Sequence, residues 1–290
     1  MSSSQDFLGP YRLIRLIRSG RRCNVWEAQR SGEQERVACK VVLEEFREDK
    51  SEIAQMRNEA MVGKEMDSPY VIKVFEFVNH RTPFIVMQLF NAKNLKQEIR
   101  ERPDFVAVNI PSYIERCALG LEHLHSKGWL HCDVKPDNYL VDEQGNVKLI
   151  DFSIAKPIKG QKSVGLMKIF GKKNIVQGTR SYMSPEQILG KKLTIASDVY
   201  GFGCVLHELF SGKPPFTGVS SDDLLQKHLR AAPPSLQALN RSISEPMANL
   251  VLRMLSKDPK KRPANMSDFL SELKRTSVYR AGMRPKLNQA

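Results

Sequence analysis

The chain has 290 residues, 45 Lys and Arg against 32 Asp and Glu, a net charge of +13 and 41% hydrophobic residues. At roughly 150 residues per domain this length accommodates two core-bearing units. No run approaches the roughly 18 consecutive apolar residues of a membrane helix, and Met1-Ser2-Ser3-Ser4-Gln5-Asp6 carries neither a signal-peptide nor a myristoylation pattern, so no membrane segment is expected and cytoplasm is the expected compartment. Cys23, Cys39, Cys117, Cys132 and Cys204 form no Cys-x-x-Cys pair, which argues against a zinc site or a disulfide framework. The basic charge suits nucleic acid, an anionic membrane surface or acidic proteins. Without interleaved aromatic and basic residues or zinc-finger spacing, no nucleic-acid partner is expected.

Residues 1–10 are polar and read as an N-terminal extension. Tyr11 to Ile17 reads as an exposed strand, Arg18 to Cys23 as a turn and Val25 to Ala28 as the returning strand. Val37 to Val42 is an apolar strand interrupted by Lys40, whose ammonium needs a partner if buried. Glu44 to Met66 has helical composition and contains Glu59 and Gly63. Val71 to Val78 and Phe84 to Met87 read as strands joined by the turn Asn79 to Pro83, after which the chain becomes mainly helical. Ile110, Ile114, Ala118, Leu121 and Leu124 form one apolar helical stripe that ends near Gly128. His131-Cys132-Asp133-Val134-Lys135-Pro136-Asp137-Asn138 follows, stiffened by Pro136. Asp142 to Asn146 has hairpin chemistry, and Val147 to Ile150 leads as a buried strand into Asp151-Phe152-Ser153, folding Asp151 back towards Asp133. A carboxylate, an ammonium, an amide and a second carboxylate are thereby placed to converge on one anion and its metal, which is equipment for phosphoryl transfer. Ser153 to Pro185 is long, basic and without apolar periodicity. Helices are expected from Ser197 to Phe210, near 222–230 and from Met247 to Leu255, and residues 276–290 read as a disordered basic tail.

His131 to Asn138 and Asp151-Phe152-Ser153 resemble the catalytic loop and metal-binding motif of the protein kinases, specifically the bacterial eukaryotic-like (Hanks-type) serine/threonine kinases. The resemblance spans 11–275 with the motifs in family order. It implies an α+β bilobal fold: a small antiparallel-sheet lobe with one main helix over about 11–88, a hinge at about 88–92 and a larger helical lobe over about 93–275. It implies ATP and Mg²⁺ or Mn²⁺ as cofactors. Asp133 and Lys135 are then catalytic, Asn138 and Asp151 hold the metal, and Lys40 with Glu59 fixes the nucleotide. Ile17, Gly20 and Val25 belong to the nucleotide-covering loop, Ala38 and Leu140 flank adenine with Val25, Met87 guards the pocket, and Gln88 and Leu89 form the hinge. His131 receives no chemical role, and Arg262 is a structural partner of Glu186.

Several positions depart from the family pattern. Arg18 and Cys23 replace two glycines of the nucleotide loop, and Arg18, Arg21 and Arg22 are expected to offset the loss by attracting phosphate. Gly63 leaves a gap beside Phe152 that is expected to mobilise the helix, and Ser153 replaces a glycine of the metal motif. Cys132 replaces the arginine that receives a phosphate on the activation segment, so modification of Ser163, Thr179 or Ser181 lacks its usual receiver. The leading function is an ATP-dependent serine/threonine protein kinase acting on protein substrates, with autophosphorylation as a further reaction and acidic substrate sequences preferred. The alternatives are a pseudokinase scaffold, a small-molecule kinase and a polyanion binder. The Ser184-Pro185-Glu186 segment and the ending Lys257-Asp258-Pro259-Lys260-Lys261-Arg262-Pro263 count against the small-molecule kinase. Substrate identity and oligomeric state have no sequence signal.

Overall fold

A computed structural model describes residues 7–158 and 177–285. The chain divides into two compact units, one running up to Asn91 and including Ile150–Ala155, the other comprising Ala92–Leu149 and the chain from Lys156 onward. The division falls inside the expected hinge, whereas the inclusion of Ile150–Ala155 in the first unit has no local sequence signal.

The first unit is an antiparallel six-stranded sheet in the order β1-β2-β3-β4-β6-β5, formed by β1 (Phe7–Leu8), β2 (Tyr11–Ser19), β3 (Cys23–Arg30), β4 (Arg36–Val42), β5 (Val74–Val78) and β6 (Phe84–Gln88). The expected extension therefore contributes a strand, because Phe7 and Leu8 pair with Arg12 and Tyr11. Alternation divides β4 between two cores. Val37, Cys39 and Val41 pack with Tyr11, Ala28, Phe84 and Val86 on one side. Val42 packs on the other with Ile85, Val74 and the helical residues Met56 and Ala60. Each fully buried aliphatic or aromatic side chain contributes about 1.5–3 kcal/mol relative to exposure.

The helix in this second core, α1 (Lys50–Lys64), is shorter than the composition suggested, and a 3₁₀ turn at Glu44–Phe46 precedes it. Asp49 decides the boundary by accepting the N–H groups of Ser51 and Glu52 at 2.8 and 3.3 Å. Gly63 leaves no gap, contrary to expectation. A Cβ built there would stand 2.3 Å from Val74 Cγ2, with Phe152 Cδ2 at 3.5 Å, so Val74 fills the space and a larger residue at 63 would clash.

In the second unit β7 (Lys93–Asn94), β9 (Tyr139–Val141) and β10 (Val147–Leu149) form one small sheet, and β8 (Trp129–Leu130) pairs with β11 (Lys156–Pro157) in another. The short helix α2 (Leu95–Glu101) leads into α3 (Pro103–Ser126), which buries Ile110, Ile114, Ala118, Leu121 and Leu124 as the stripe predicted. After α4 (Pro185–Ile188) comes α5 (Ile195–Ser211), which is mainly apolar and buried from Ser197 to Phe210. It is capped by Thr194 and closed by Gly212 in the left-handed conformation at φ 73°. Next are α6 (Ser221–Arg230), α7 (Leu236–Leu239), α8 (Glu245–Met254) and α9 (Met266–Leu273). Phe202 of α5 meets Phe269 of α9 edge to face at 5.5 Å.

The expectation of a disordered tail from 276 fails for its first residues. Tyr279 is buried, bridges to Ile243 and donates its hydroxyl to the Ala107 carbonyl, while Arg280 N–H bonds Ser242. One buried aromatic ring with a satisfied hydroxyl anchors this segment despite its polar composition.

His228 in α6 is fully buried, with Nδ1 2.9 Å from the Tyr200 hydroxyl. Burial, reinforced by Lys257, pushes its pKa down from 6.5 to about 4. Between these values the unfolded chain binds a proton that the folded chain refuses, so stability rises with pH across the window. Acidification from pH 6.5 to 4 is expected to remove about 3 kcal/mol from this group. Thermal unfolding of the protein and of His228→Asn across that range tests it, with the variant expected to show a shallower fall.

Candidate active site

In the first unit β4 carries Lys40, and Val25 of β3 and Ile85 of β6 lie opposite it in the register, as Met87 does Ala38. Val25, Ala38, Lys40 and Met87 therefore share one face of the sheet. Lys40 Nζ lies 2.5 Å from Glu59 Oε2 and 3.9 Å from Asp151 Oδ1. Burial opposes the Lys40 charge, but the Glu59 and Asp151 carboxylates more than offset it and hold the pKa above the ordinary value. Burial pushes the Glu59 carboxyl up, against the pull of Lys40. Gln88 ends β6, half-buried Leu89 follows it, and Ile17 is exposed at the irregularity in β2.

Among the described residues, Cys132 and Asp151 are the non-glycine positions with positive φ, at 66° and 69°. Arg18, Cys23 and Ser153 therefore replace glycines without the left-handed strain that a side chain would suffer there. Gly20 is required for a different reason: a Cβ there would lie 2.4 Å from the Cys23 carbonyl oxygen. Arg22 does not stand ready for phosphate as expected, because it pairs with Glu52 at 3.0 Å and Asp49 at 3.7 Å at the start of α1. Cys23 Sγ also reaches Glu52, at 3.6 Å. The loop is thus tied to α1, and Glu52 had no signal in the sequence to mark it.

In the second unit the loop between β8 and β9 brings Asp133, Lys135 and Asn138 together. Lys135 Nζ donates to Asp133 Oδ2 at 2.5 Å, and Asn138 Nδ2 donates to the same oxygen at 3.2 Å and to the Asp133 carbonyl at 2.8 Å. The Asp133 carboxylate is thus oriented by a cation and an amide. His131 is fully buried and accepts the Asp133 N–H at Nδ1, 3.3 Å. Leu140 sits half-buried in β9. The hairpin at Asp142 to Asn146 forms as predicted, with Val147 opposite Val141.

The family pattern described as "Protein kinase domain" matches residues 11–273. The chain belongs to the protein kinase family. It is 32% identical, over 97% of its length, to a serine/threonine-protein kinase drp72 of Corynebacterium efficiens, and 33% identical, also over 97%, to a serine/threonine-protein kinase PknA of Corynebacterium glutamicum. It is 30% identical over 92% of its length to the serine/threonine-protein kinase PrkC of Bacillus subtilis. It covers 53%, 59% and 40% of those relatives, and so spans about half their length. No helix among the described residues is long and apolar enough to cross a membrane.

In this kinase domain the loop that carries Asp133 is held by Asp198 of α5. The Asp198 carboxylate lies 2.9 Å from His125 Nε2 and accepts the N–H groups of His131 and Cys132 at 2.7 and 2.9 Å. Burial opposes its charge, but the neighbouring histidine and backbone donors hold its carboxyl below the usual range. Gln187 Nε2 donates to the Cys132 carbonyl at 2.8 Å, a support absent from the sequence reading. The two bracing residues hold Cys132 in its left-handed conformation. The Cys132 thiol is buried and its pKa is raised by burial, so this position offers no cation to a phosphate. Arg262 forks onto Glu186 at 2.7 and 3.1 Å as the resemblance implied. Ser163, the Thr179 side chain and Lys159, Lys162, Lys168, Lys172 and Lys173 lie outside the described residues.

Proposed function

We propose that this kinase domain transfers the γ-phosphoryl group of MgATP to serine and threonine hydroxyls of protein substrates. The observation that carries the proposal is the convergence of Lys135 and Asn138 on the Asp133 carboxylate. Asp133 accepts or orients the proton of the attacking hydroxyl, and Lys135 neutralises charge on the transferred group. Lys40, placed by Glu59, fixes the α- and β-phosphates, while Ile17, Gly20 and Val25 cover the nucleotide. Val25, Ala38 and Leu140 flank adenine, the backbone of Gln88 and Leu89 bonds it, and Met87 limits the space behind.

No group of three or more His, Cys, Asp or Glu residues among the described ones is placed to hold a metal ion alone. This suits Mg²⁺, which binds through one or two carboxylates together with substrate phosphates. Asp151 supplies a carboxylate whose side chain is 32% exposed, and Asn138, whose amide nitrogen is committed to Asp133, supplies its carbonyl oxygen. Mg²⁺ or Mn²⁺, when bound, neutralises phosphate charge. The remaining work of the chain is positioning and electrostatic stabilisation.

The pseudokinase alternative drew on Arg18, Cys23, Gly63 and Ser153. None of these four carries the strain or the void that motivated it. Incubation with labelled ATP, Mg²⁺ and a generic protein substrate, followed by identification of the labelled amino acid, is expected to place label on serine and threonine. Label confined to tyrosine, or none at all, would overturn the proposal.

A further inference from the structure

Asn58 precedes Glu59 in α1 and is 6% exposed. Its Nδ2 reaches three carbonyl oxygens of one turn: Phe152 at 3.0 Å, Ser153 at 3.2 Å and Ala155 at 3.1 Å. The same Phe152 carbonyl accepts the N–H of Ala155 at 3.1 Å, which closes the turn. A cradle of three carbonyls demands a donor. A carboxylate would be repelled there and an apolar side chain would take this donor away from all three oxygens.

Asp151, immediately before this turn, holds a left-handed φ of 69°. Its carboxylate accepts the Ser153 N–H at Oδ1, 3.3 Å, and faces Lys40 Nζ at 3.9 Å. A non-glycine residue in that region persists when its surroundings over-determine it. One such constraint is the amide of Asn58, which reaches three carbonyls of the turn from a capped helix whose next residue, Glu59, bonds Lys40. Two successive side chains of α1 thus hold the turn after Asp151 and the lysine beside it.

We propose that Asn58 is a positioning residue that latches the Phe152–Ala155 turn to α1 and thereby keeps the Asp151 carboxylate in its metal-binding conformation. The proposal rests on Asp151 being the Mg²⁺ ligand. Because the latch belongs to α1, any displacement of that helix releases Asp151 and Lys40 together.

The test uses Asn58→Leu, which matches the side chain in size without a donor, and Asn58→Ser, which is too short to reach all three oxygens. In the nucleotide-free proteins, hydrogen exchange is expected to accelerate about tenfold or more over 151–156 in Asn58→Leu and less in Asn58→Ser, with β4 and β6 unchanged. ATP binding, measured by calorimetry, is expected to be unchanged in EDTA and to lose about tenfold of its Mg²⁺-dependent gain. Unchanged exchange over 151–156 overturns the latch, and so does a uniform loss of protection across the sheet, which would make Asn58 a general packing residue. Accelerated exchange with an undiminished Mg²⁺ gain overturns its link to the metal. If the unaltered protein shows no Mg²⁺ gain and Asp151→Asn changes nothing, the metal assignment itself fails, while the exchange result still decides the latch. Should Asn58→Leu not fold, Asn58→Ser carries both measurements.

Discussion

Asp133→Asn is expected to lower phosphoryl transfer by about 10²–10⁴-fold, the range that a positioned general base supplies, with KM for ATP nearly unchanged. The carboxylate is the atom group on which Lys135 and Asn138 converge. An amide of the same shape keeps one oxygen for these donors, so the loop keeps its form. What disappears is the negative charge that draws the proton of the incoming hydroxyl and balances Lys135. The initial rate with MgATP and a protein substrate, compared between the two proteins, measures the effect, and unfolding midpoints verify the fold. Equal rates would favour the scaffold reading, in which Asp133 has no chemical duty.

Arg262→Met is expected to destabilise the second unit by about 3–5 kcal/mol, the cost of removing one partner from a buried ion pair. The Arg262 side chain has no exposed surface. Its guanidinium forks onto Glu186, donates to the carbonyls of Ala196 and Ser256 at 2.6 and 2.8 Å, and lies 4.9 Å from the centroid of the Tyr200 ring. Truncation leaves the Glu186 carboxylate, which Arg262 holds below its usual range against the opposing effect of burial, without its counter-charge. Chemical denaturation of Arg262→Met, Glu186→Gln and the double variant tests the pair. The double variant is expected to be more stable than the sum of the two losses predicts, because neither charge is then stranded. Strict additivity would show that the pair is not coupled.

The contrast between correct and failed expectations follows the distance over which each determinant acts. Asp133, Lys135 and Asn138 occupy one six-residue stretch, so short-range backbone geometry sufficed to bring them together, and the hairpin from Asp142 to Asn146 was equally local. The strand bearing Lys40 was legible as a short apolar run, and the core stripe of α3 through its helical period. Helix length was misjudged at Asp49 because a single capping side chain overrides composition. Arg22 was misjudged because its partner, Glu52, lies on another element.

The amino-acid order alone determined the family and most secondary elements, since these depend on residue type, periodicity and short spacings. Tertiary structure alone decided that Val74 fills the space beside Gly63, that Asn58 grips a turn some 94 residues away, and that Tyr279 anchors a stretch with a polar composition. Each of those outcomes depends on which surfaces and carbonyl groups meet when distant segments pack, and packing complementarity leaves no periodic trace along a single chain.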